Sequence, residues 1–333
     1  MDAPANPNLA VVIPAFKADF LARTLESLLR QTDQRFSIYV CDDASAEDIK
    51  SITQSVLGAR PHTYKRFENN LGSASIAKQW DRCVALTREP WIWLFSDDDL
   101  MDAGCVEAFY RFLDTEGDVT DVLRFDGWII DENDKISQLF PHNFDKESWL
   151  EFAYGCLIGW RSSFMQQLVF RRSALEEAGG FLDLPLGLAS DDAAIIAVGR
   201  RRSLRRVPGA RVYWRHSRKN IMPDVSLKVR KKKLRAVCLF LQWLRSQLQL
   251  PREHLFEGDE TAFIHAMDRC LVRAIISQGS LPALANWSLL LHTRRQVGEG
   301  SRFSLVKRIA VVGLNDALSK LGKAARALVR SST

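Results

Sequence analysis

The first hundred residues alternate short apolar runs with segments of helical periodicity. The apolar runs are LAVVI (residues 9–13), FSIYVC (36–41) and WIWLF (91–95), and a proline or a polar cluster closes each of them. Continuous apolar runs of this length are typical of strands that are buried on both faces of a parallel sheet. The alternation predicts a doubly wound α/β sheet, whose ligands bind outside the carboxyl ends of the strands.

Acidic residues follow two of these strands. Asp42 and Asp43 come after the second strand, and Asp97, Asp98 and Asp99 come after the third. Three consecutive carboxylates repel one another and raise one another's pKa, and a divalent cation removes that conflict. Oxygen ligands favour Mg²⁺ or Mn²⁺, which can bridge a nucleotide diphosphate. An exposed acidic turn or a helix N-cap is the alternative interpretation of the second cluster.

Several protein classes are disfavoured by what the sequence lacks. It contains neither GxGxxG after the first strand nor GxxxxGK[ST], which argues against a Rossmann dehydrogenase and a P-loop NTPase. Its six cysteines form no CxxC pair, which argues against a zinc ribbon and fits a reducing cytosol. We find no signal peptide and no apolar run of about 18 residues, so we expect a cytoplasmic protein.

The pattern becomes wholly helical after the middle of the chain. We place a boundary near Pro223, which predicts one domain over 1–222 and a helical C-terminal region over 223–333. Two apolar stripes in that region recur every three or four residues, as in amphipathic helices. The first stripe is Val306, Ile309, Gly313, Ala317, Leu321, Ala324 and Leu328, and the second is Leu234, Val237, Leu241, Leu244 and Leu248.

Basic residues are concentrated before and beside the second stripe. Between Arg200 and Arg235 the only carboxylate is Asp224. Such a block is usually a solvated surface. Together with the stripes it also predicts peripheral docking on an anionic membrane, at the inner face of the cell membrane. The alternative is that the stripes pack on the catalytic domain or form a homo-oligomer interface. Because residues 228–235 contain no aromatic side chain, we expect no nucleic-acid partner.

Seven stretches of the chain, taken together and in order, resemble a known enzyme family. They are VVIPAFK, LARTLESLLRQT, SIYVCDDAS, WIWLFSDDDL, SALEEAGGF, SDDAAIIAVGRR and VYWRHS, within residues 9–220. The family is the inverting glycosyltransferases of the GT-A fold, family 2 type. The resemblance implies a Rossmann-like GT-A catalytic domain and transfer of a sugar from a nucleotide diphosphate, usually UDP, to a hydroxyl of a glycan acceptor. By analogy, we expect a lipid-linked bacterial surface glycan as the acceptor.

The resemblance also implies roles for individual residues. Asp192 stands at the position of the general base, with Asp191 beside it to hold its orientation. Mn²⁺ or Mg²⁺ would be bound by Asp97, Asp98, Asp99 and His216. The nucleotide-sugar would contact Pro14, Ala15, Phe16, Asp43, Lys78 and Asp97, with the nucleobase at the first four. Trp160 and Trp128 lie where family members build the acceptor site, since an aromatic ring can pack against a sugar ring.

Structural roles are the alternatives for the same residues. The Asp191–Asp192 pair would cap a helix, His216 would be an ordinary strand residue, and the tryptophans would pack in the core.

Three positions depart from the family pattern. Lys17 stands where Asn or Asp is usual, Ser96 replaces the first Asp of a DxDD motif, and Asp191 replaces Glu. They leave the assignment of the metal ligands and the donor sugar open. A sugar-phosphate nucleotidyltransferase is one rival, but it normally has a glycine-rich basic loop where this chain has IPAFKADF. A non-catalytic nucleotide- or RNA-binding module is the other.

Overall fold

The computed structural model describes residues 8–140, 143–161, 163–217, 220, 224–248 and 260–297. The described residues form two compact units. The first lies within Met1–Ala153, Ser162–Asp183 and Ser190–Asn220, and the second lies within Tyr154–Arg161, Leu184–Ala189 and Ile221–Thr333. Pro223, near which we place the domain boundary, lies outside the described residues.

A mixed sheet of ten strands is the framework of the first unit, within the described part of the chain. The strands are β1 (Leu9–Ala15), β2 (Phe36–Asp42), β3 (Thr63–Arg66), β4 (Trp91–Leu94), β5 (Leu100–Met101), β6 (Val122–Ile130), β7 (Ile136–Leu139), β8 (Lys146–Glu147), β9 (Leu168–Arg171) and β10 (Leu204–Arg215). Their order is β3-β2-β1-β4-β9-β6-β10-β5, with β7 paired to β6 and β8 to β10.

The predicted parallel arrangement is confirmed for the first four strands of this order. β3, β2, β1 and β4 all run in the same direction. β9 runs antiparallel to both of its neighbours, and β6 and β10 are again parallel to each other. The apolar pattern of a strand indicates that the strand is buried, but not in which direction it runs. The antiparallel pairing of β9 was therefore not predicted.

Helices cover the sheet because their apolar residues recur at helical spacing. In α1, Leu21, Leu25 and Leu28 are buried in the same core as β1. Side-chain caps set two helix starts: Asp48 Oδ1 accepts the Ser51 N–H at 3.0 Å, and Ser75 Oγ accepts the Lys78 N–H at 3.1 Å. The helices up to residue 198 are α1 (Leu21–Leu29), α2 (Ile49–Leu57), α3 (Ile76–Val84), α4 (Cys105–Glu116), α5 (Trp149–Ile158), α6 (Arg172–Glu177) and α7 (Ser190–Val198), with 3₁₀ turns at Met165–Gln167 and Pro185–Gly187.

The second unit is built mainly from α8 (Leu227–Leu248), α9 (Glu260–Gln278), α10 (Ser280–Ala285) and α11 (Trp287–Val297). Of the second apolar stripe, Leu234, Leu241, Leu244 and Leu248 are buried, and α8 packs against the three later helices. The prediction that this stripe faces a membrane or another subunit is therefore wrong, because the neighbouring helices of its own unit cover it.

The first apolar stripe, Val306 to Leu328, lies outside the described residues. In the part of the chain that the structure describes, no helix combines the length and the apolar character needed to span a bilayer.

Candidate donor and catalytic site

Asp97 joins the end of β4 to the end of β1. Its Oδ2 accepts the backbone N–H groups of Phe16 and Lys17, each at 2.7 Å. β1 and β4 are parallel neighbours, so their carboxyl ends meet at one edge of the sheet. Burial raises the pKa of Asp97 to about 6, and the charge of Asp98 adds to the rise while Lys17 opposes it. Asp97 thus holds the residues after β1, which we expect at the nucleobase, beside the acidic cluster.

Lys17 places its ammonium group on this cluster. Its Nζ donates to Asp98 Oδ2 at 2.5 Å and lies 3.8 Å from Asp97 Oδ1. Burial lowers the pKa of Lys17, but the charges of Asp98 and Asp97 outweigh that effect, and the pKa is raised overall. The lysine is therefore charged at neutral pH. In the sequence Lys17 is only a departure from the family pattern, and nothing there predicts this ion pair.

Asp99 is buried between the end of β4 and the end of β10. Its Oδ1 accepts the backbone N–H of Arg215 at 2.7 Å, whereas its Oδ2 accepts no hydrogen bond from any described residue. Burial, followed by the charge of Asp98, raises the pKa of Asp99 well above its usual range. A buried carboxylate oxygen without a partner is costly, so a ligand at Oδ2 would stabilise it.

Arg215 is buried and holds the backbone of the acidic cluster in place. Its guanidinium donates to the carbonyl oxygens of Asp98 at 2.7 Å and Asp131 at 2.9 Å, and it pairs with Asp134 at 2.5 Å. The same group lies over the Phe20 ring, 4.4 Å from its centroid. The sequence does not mark Arg215 as a site residue, because an arginine in a basic block is normally exposed.

The acidic cluster has the chemistry of a site for a hard divalent cation. It offers only carboxylate oxygens, and the unpartnered Asp99 Oδ2 is a suitable ligand. Within the described residues, no group of three or more His, Cys, Asp or Glu side chains is arranged to hold a metal ion. The exposed His216 ring stacks on Trp214, with centroids 5.7 Å apart. Metal binding by Asp97, Asp98, Asp99 and His216 stays a prediction.

Asp43 is buried and holds the loop that precedes α3. Its two oxygens accept the backbone N–H groups of Leu71 and Gly72, each at 2.8 Å, and it pairs with Arg82. A Cβ at Gly72 would lie 2.7 Å from Asp43 Oδ2, so only glycine allows this approach. Each carboxylate oxygen has two lone pairs, so a nucleobase N–H would share Asp43 with these donors. Its role in base binding stays a prediction.

Two other expected donor contacts are exposed. Phe16 is exposed just after β1. The Lys78 ammonium lies 3.5 Å from Asp183 Oδ2, and Ser75 Oγ donates to the other oxygen of Asp183 at 2.6 Å. Arg82, the partner of Asp43, was not selected from the sequence. It lies four residues after Lys78, one turn further along α3, and that helical spacing is the signal that could have found it.

Asp191 and Asp192 open α7 and share the hydroxyl of Ser163. Ser163 Oγ lies 2.7 Å from Asp192 Oδ1 and 3.2 Å from Asp191 Oδ2. Burial raises the pKa of Asp191 to about 8, and the charge of Asp192 adds to it. A hydroxyl has one proton to donate, so Ser163 shares it between the two carboxyl groups, with the shorter contact to Asp192. Ser163 thus contacts both carboxyl groups, and no motif in the sequence pointed to it.

The two tryptophans expected at the acceptor have different surroundings. One face of Trp128 is covered by the Arg211 guanidinium, 4.0 Å from the ring centroid, and Tyr213 packs edge-on against it. Trp160 is 81% exposed and belongs to the second unit. Contacts of either residue with an acceptor stay predictions.

A stack of aromatic rings that sequence analysis did not select lies next to Ser163. Phe164 and Trp214 are parallel within 7°, with centroids 5.1 Å apart, and the His216 ring also stacks on the indole, with centroids 5.7 Å apart. Phe164 directly follows Ser163 in the chain. The stack therefore begins one residue from the hydroxyl that contacts both carboxyl groups, Asp191 and Asp192.

Known structures share the fold of this chain. Residues 1–349 of S. aureus TarS in complex with UDP-GlcNAc superpose with a TM-score of 0.58 at 14% identity, covering 94% of this chain and 92% of that one. The TarS complex with UDP gives a TM-score of 0.54 at 15% identity, with the same coverage. At these identities the likeness shows the fold alone, and it confirms the expected GT-A architecture. No curated protein matches the sequence.

The sequence of the first half of the chain matches a known protein family. The profile described as glycosyl transferase family 2 matches residues 10–177, half of the chain. The matched region contains β1 except for its first residue, the strands β2 and β4, and both Asp42–Asp43 and Asp97–Asp99. The chain therefore belongs to glycosyl transferase family 2.

Proposed function

We propose that this protein is an inverting glycosyltransferase that moves a sugar from a nucleotide diphosphate to a hydroxyl of a glycan, in the synthesis of a bacterial surface polysaccharide. One observation carries the proposal. Asp97 ties the Phe16–Lys17 backbone to the acidic cluster at the carboxyl edge of parallel strands, inside the region that matches the family. This edge is where open α/β sheets bind nucleotides.

Asp192 is the proposed general base. Burial and the charge of Asp192 raise the pKa of Asp191 to about 8, so Asp191 is expected to hold a proton more readily, which leaves Asp192 as the proposed acceptor of the substrate proton. It takes the proton of the acceptor hydroxyl, and the acceptor oxygen attacks the anomeric carbon opposite the diphosphate. The bond from that carbon to the diphosphate breaks as the new bond forms. Because there is one displacement, the configuration inverts.

The donor lies along the edge formed by β1, β2 and β4. Pro14, Ala15 and Phe16 lie beside the nucleobase, Asp43 accepts a hydrogen bond from it, and Lys78 leaves Asp183 to meet the diphosphate. Mn²⁺ or Mg²⁺, bound by Asp97, Asp98, Asp99 and His216, would neutralise the charge that develops on the departing diphosphate. The TarS structures contain UDP-GlcNAc or UDP, which makes UDP-GlcNAc the first donor to test.

The acceptor sugar packs on an aromatic surface near Asp192. The stack of Phe164, Trp214 and His216 supports this placement, because it begins beside the hydroxyl that contacts the base. Trp128 and Trp160 are the acceptor residues that the sequence suggested. A lipid-linked glycan is the proposed acceptor.

The function is tested by incubating the protein with a panel of UDP-sugars and Mn²⁺ and measuring released UDP. We expect release from one donor, and we expect EDTA or the double substitution Asp97→Ala/Asp99→Ala to abolish it without unfolding the chain. Full activity in EDTA would contradict the metal dependence. Pyrophosphate release from a nucleoside triphosphate and a sugar 1-phosphate would instead identify a nucleotidyltransferase. Salt-dependent RNA retention with no turnover would identify a binding module.

The helical unit is proposed to dock on an anionic membrane at the inner face of the cell membrane. Its described residues expose three large apolar side chains close together in sequence: Ile276, Leu281 and Leu284. Asn286 Nδ2, at the end of α10, donates to the Lys231 carbonyl oxygen at 3.3 Å, which brings this surface next to the basic start of α8. Apolar side chains bordered by cations suit an anionic leaflet, where each cation contributes about 1 kcal/mol.

Vesicle flotation tests this docking. We expect the protein to float with anionic vesicles and not with neutral ones, with binding weakened by salt and by Leu281→Ser/Leu284→Ser. The exposed pair Ser246→Ala/Gln296→Ala is the control and should leave flotation unchanged. Absence of flotation together with a concentration-dependent dimer that the two leucine substitutions dissociate would assign the surface to a homo-oligomer instead.

A further inference from the structure

The acidic cluster is neutralised in part by a cation of the chain itself. Lys17 contacts the cluster twice: its backbone N–H donates to Asp97 Oδ2 at 2.7 Å, and its Nζ donates to Asp98 Oδ2 at 2.5 Å. The ammonium also lies 3.8 Å from Asp97 Oδ1. It therefore occupies the space between two of the carboxylates that would bind a divalent cation.

An ammonium group and a divalent cation exclude each other at these oxygens. The ammonium is hydrogen-bonded to Asp98 Oδ2 and close to Asp97 Oδ1, where a metal ion would also bind, and like charges a few ångström apart repel strongly where water is largely absent. The two aspartates are buried, with side chains 6% and 5% exposed. The Lys17 ammonium therefore competes with a metal ion for Asp97 and Asp98.

The Lys17 side chain can move away from the aspartates while its backbone stays in place. Its backbone is held by Asp97, while its side chain is 26% exposed and has four rotatable bonds. The ammonium can therefore swing away from Asp98 while the Pro14–Lys17 segment stays in place. A diphosphate at the same edge of the sheet offers it new anionic oxygens.

We propose that Lys17 is an exchangeable counter-ion: it occupies the acidic cluster when no donor is bound, and it moves to the diphosphate of the nucleotide when a divalent cation takes its place. This deepens the proposed function and rests on it for the identity of the anion. The exchange couples the binding of the metal ion to the binding of the nucleotide. Without nucleotide, a metal ion must displace the Lys17 ammonium from the aspartates when no other anion is present to bind it, so the metal ion binds weakly. A nucleotide diphosphate supplies that anion and therefore strengthens metal binding.

The experiment compares the wild type with Lys17→Met and Lys17→Arg, measuring Mn²⁺ binding from the loss of the free-ion electron paramagnetic resonance signal. Without nucleotide, we expect Lys17→Met to bind Mn²⁺ at least ~10-fold more tightly than the wild type, and Lys17→Arg to stay weak because the charge is kept. UDP should tighten Mn²⁺ binding by ~10-fold or more in the wild type and by much less in Lys17→Met. Lys65→Met, which removes an exposed lysine of β3, is the control and should match the wild type.

UDP binding at saturating Mn²⁺, followed by calorimetry, tests the second half of the exchange, because in the proposed exchange the Lys17 ammonium lies on the diphosphate only when the cation occupies the acidic cluster. We expect Lys17→Met to weaken UDP binding by ~10-fold, since the ammonium no longer reaches the diphosphate. Equal Mn²⁺ affinity of the wild type and Lys17→Met, including no binding by either, would overturn the competition. Unchanged UDP affinity of Lys17→Met at saturating Mn²⁺ would overturn the transfer to the phosphates. If no nucleotide binds to the wild type at all, the proposed function fails, while the Mn²⁺ comparison still decides whether Lys17 competes with the metal.

Discussion

Replacing Asp192 by Asn lowers the turnover number by at least ~10²-fold and leaves the dissociation constant of the nucleotide-sugar nearly unchanged. Asparagine keeps the shape and the contact with Ser163 Oγ, which lies 2.7 Å from Asp192 Oδ1, but it cannot take a proton. The loss therefore falls on the chemical step and not on donor binding. Initial rates at saturating donor, together with equilibrium binding of the same donor, separate the two effects.

Asp191→Asn is the matched control for this prediction. With its pKa raised to about 8, the Asp191 carboxyl group is mostly protonated at pH 7, and an amide is a fair replacement for a neutral acid. We expect Asp191→Asn to reduce turnover much less than Asp192→Asn does. The opposite order would assign the base to Asp191, and little loss from either substitution would mean that the pair only caps α7.

Truncating Glu147 to Ala destabilises the protein by about 3–5 kcal/mol. Glu147 Oε2 lies 3.1 Å from Arg124 Nη1, and both side chains are almost completely buried, at 3% and 2% exposure. Without the glutamate, the Arg124 guanidinium over the Phe152 ring is left in the interior without that compensating charge. Denaturant-induced unfolding at equilibrium, with matched m-values, measures the change in the free energy of unfolding.

Two further variants show whether burial is the reason for this loss. Arg124→Met/Glu147→Leu, which removes both charges, should recover most of the stability lost in Glu147→Ala. Glu177→Ala removes the partner of Arg201 in an ion pair whose side chains are mostly exposed, and it should cost at most about 1 kcal/mol. A loss below about 1 kcal/mol from Glu147→Ala would contradict the argument from burial.

The apolar runs predicted the parallel core of the sheet closely. The runs 9–13, 36–41 and 91–95 correspond to strands Leu9–Ala15, Phe36–Asp42 and Trp91–Leu94. A strand buried on both faces needs apolar side chains at every position, so its composition alone reveals it. The direction of β9 depends on a partner more than seventy residues away in the chain, and no local pattern encodes that choice.

The second apolar stripe shows where periodicity stops being informative. Leu234, Leu241 and Leu244 recur at helical spacing in the sequence, and the structure buries them under neighbouring helices. An apolar helix face has the same period whether it meets lipid, another subunit or its own unit. The period identified the helix, and only the surrounding helices decided what covers that face.

The candidate site also contains residues that the sequence predicted and contacts that it did not. Asp43 and the Asp97–Asp99 cluster were found because polar residues directly after buried strands must lie at the carboxyl edge of the sheet. Three contacts of the site could not be predicted, because each joins residues that are far apart in the chain. The separations are 29 positions for Ser163 and Asp192, 81 for Lys17 and Asp98, and 116 for Arg215 and Asp99.

The sequence by itself determined the sheet core, the helices around it and the acidic ends of its strands, because burial and hydrogen bonding leave a short-range pattern of apolar and polar residues. Only the tertiary structure decided which charges meet. It placed a lysine on the acidic cluster, a buried arginine beneath it and a serine between two carboxyl groups. The physical reason is that electrostatic and hydrogen-bonding partners are selected by distance in space, to which sequence separation is no guide.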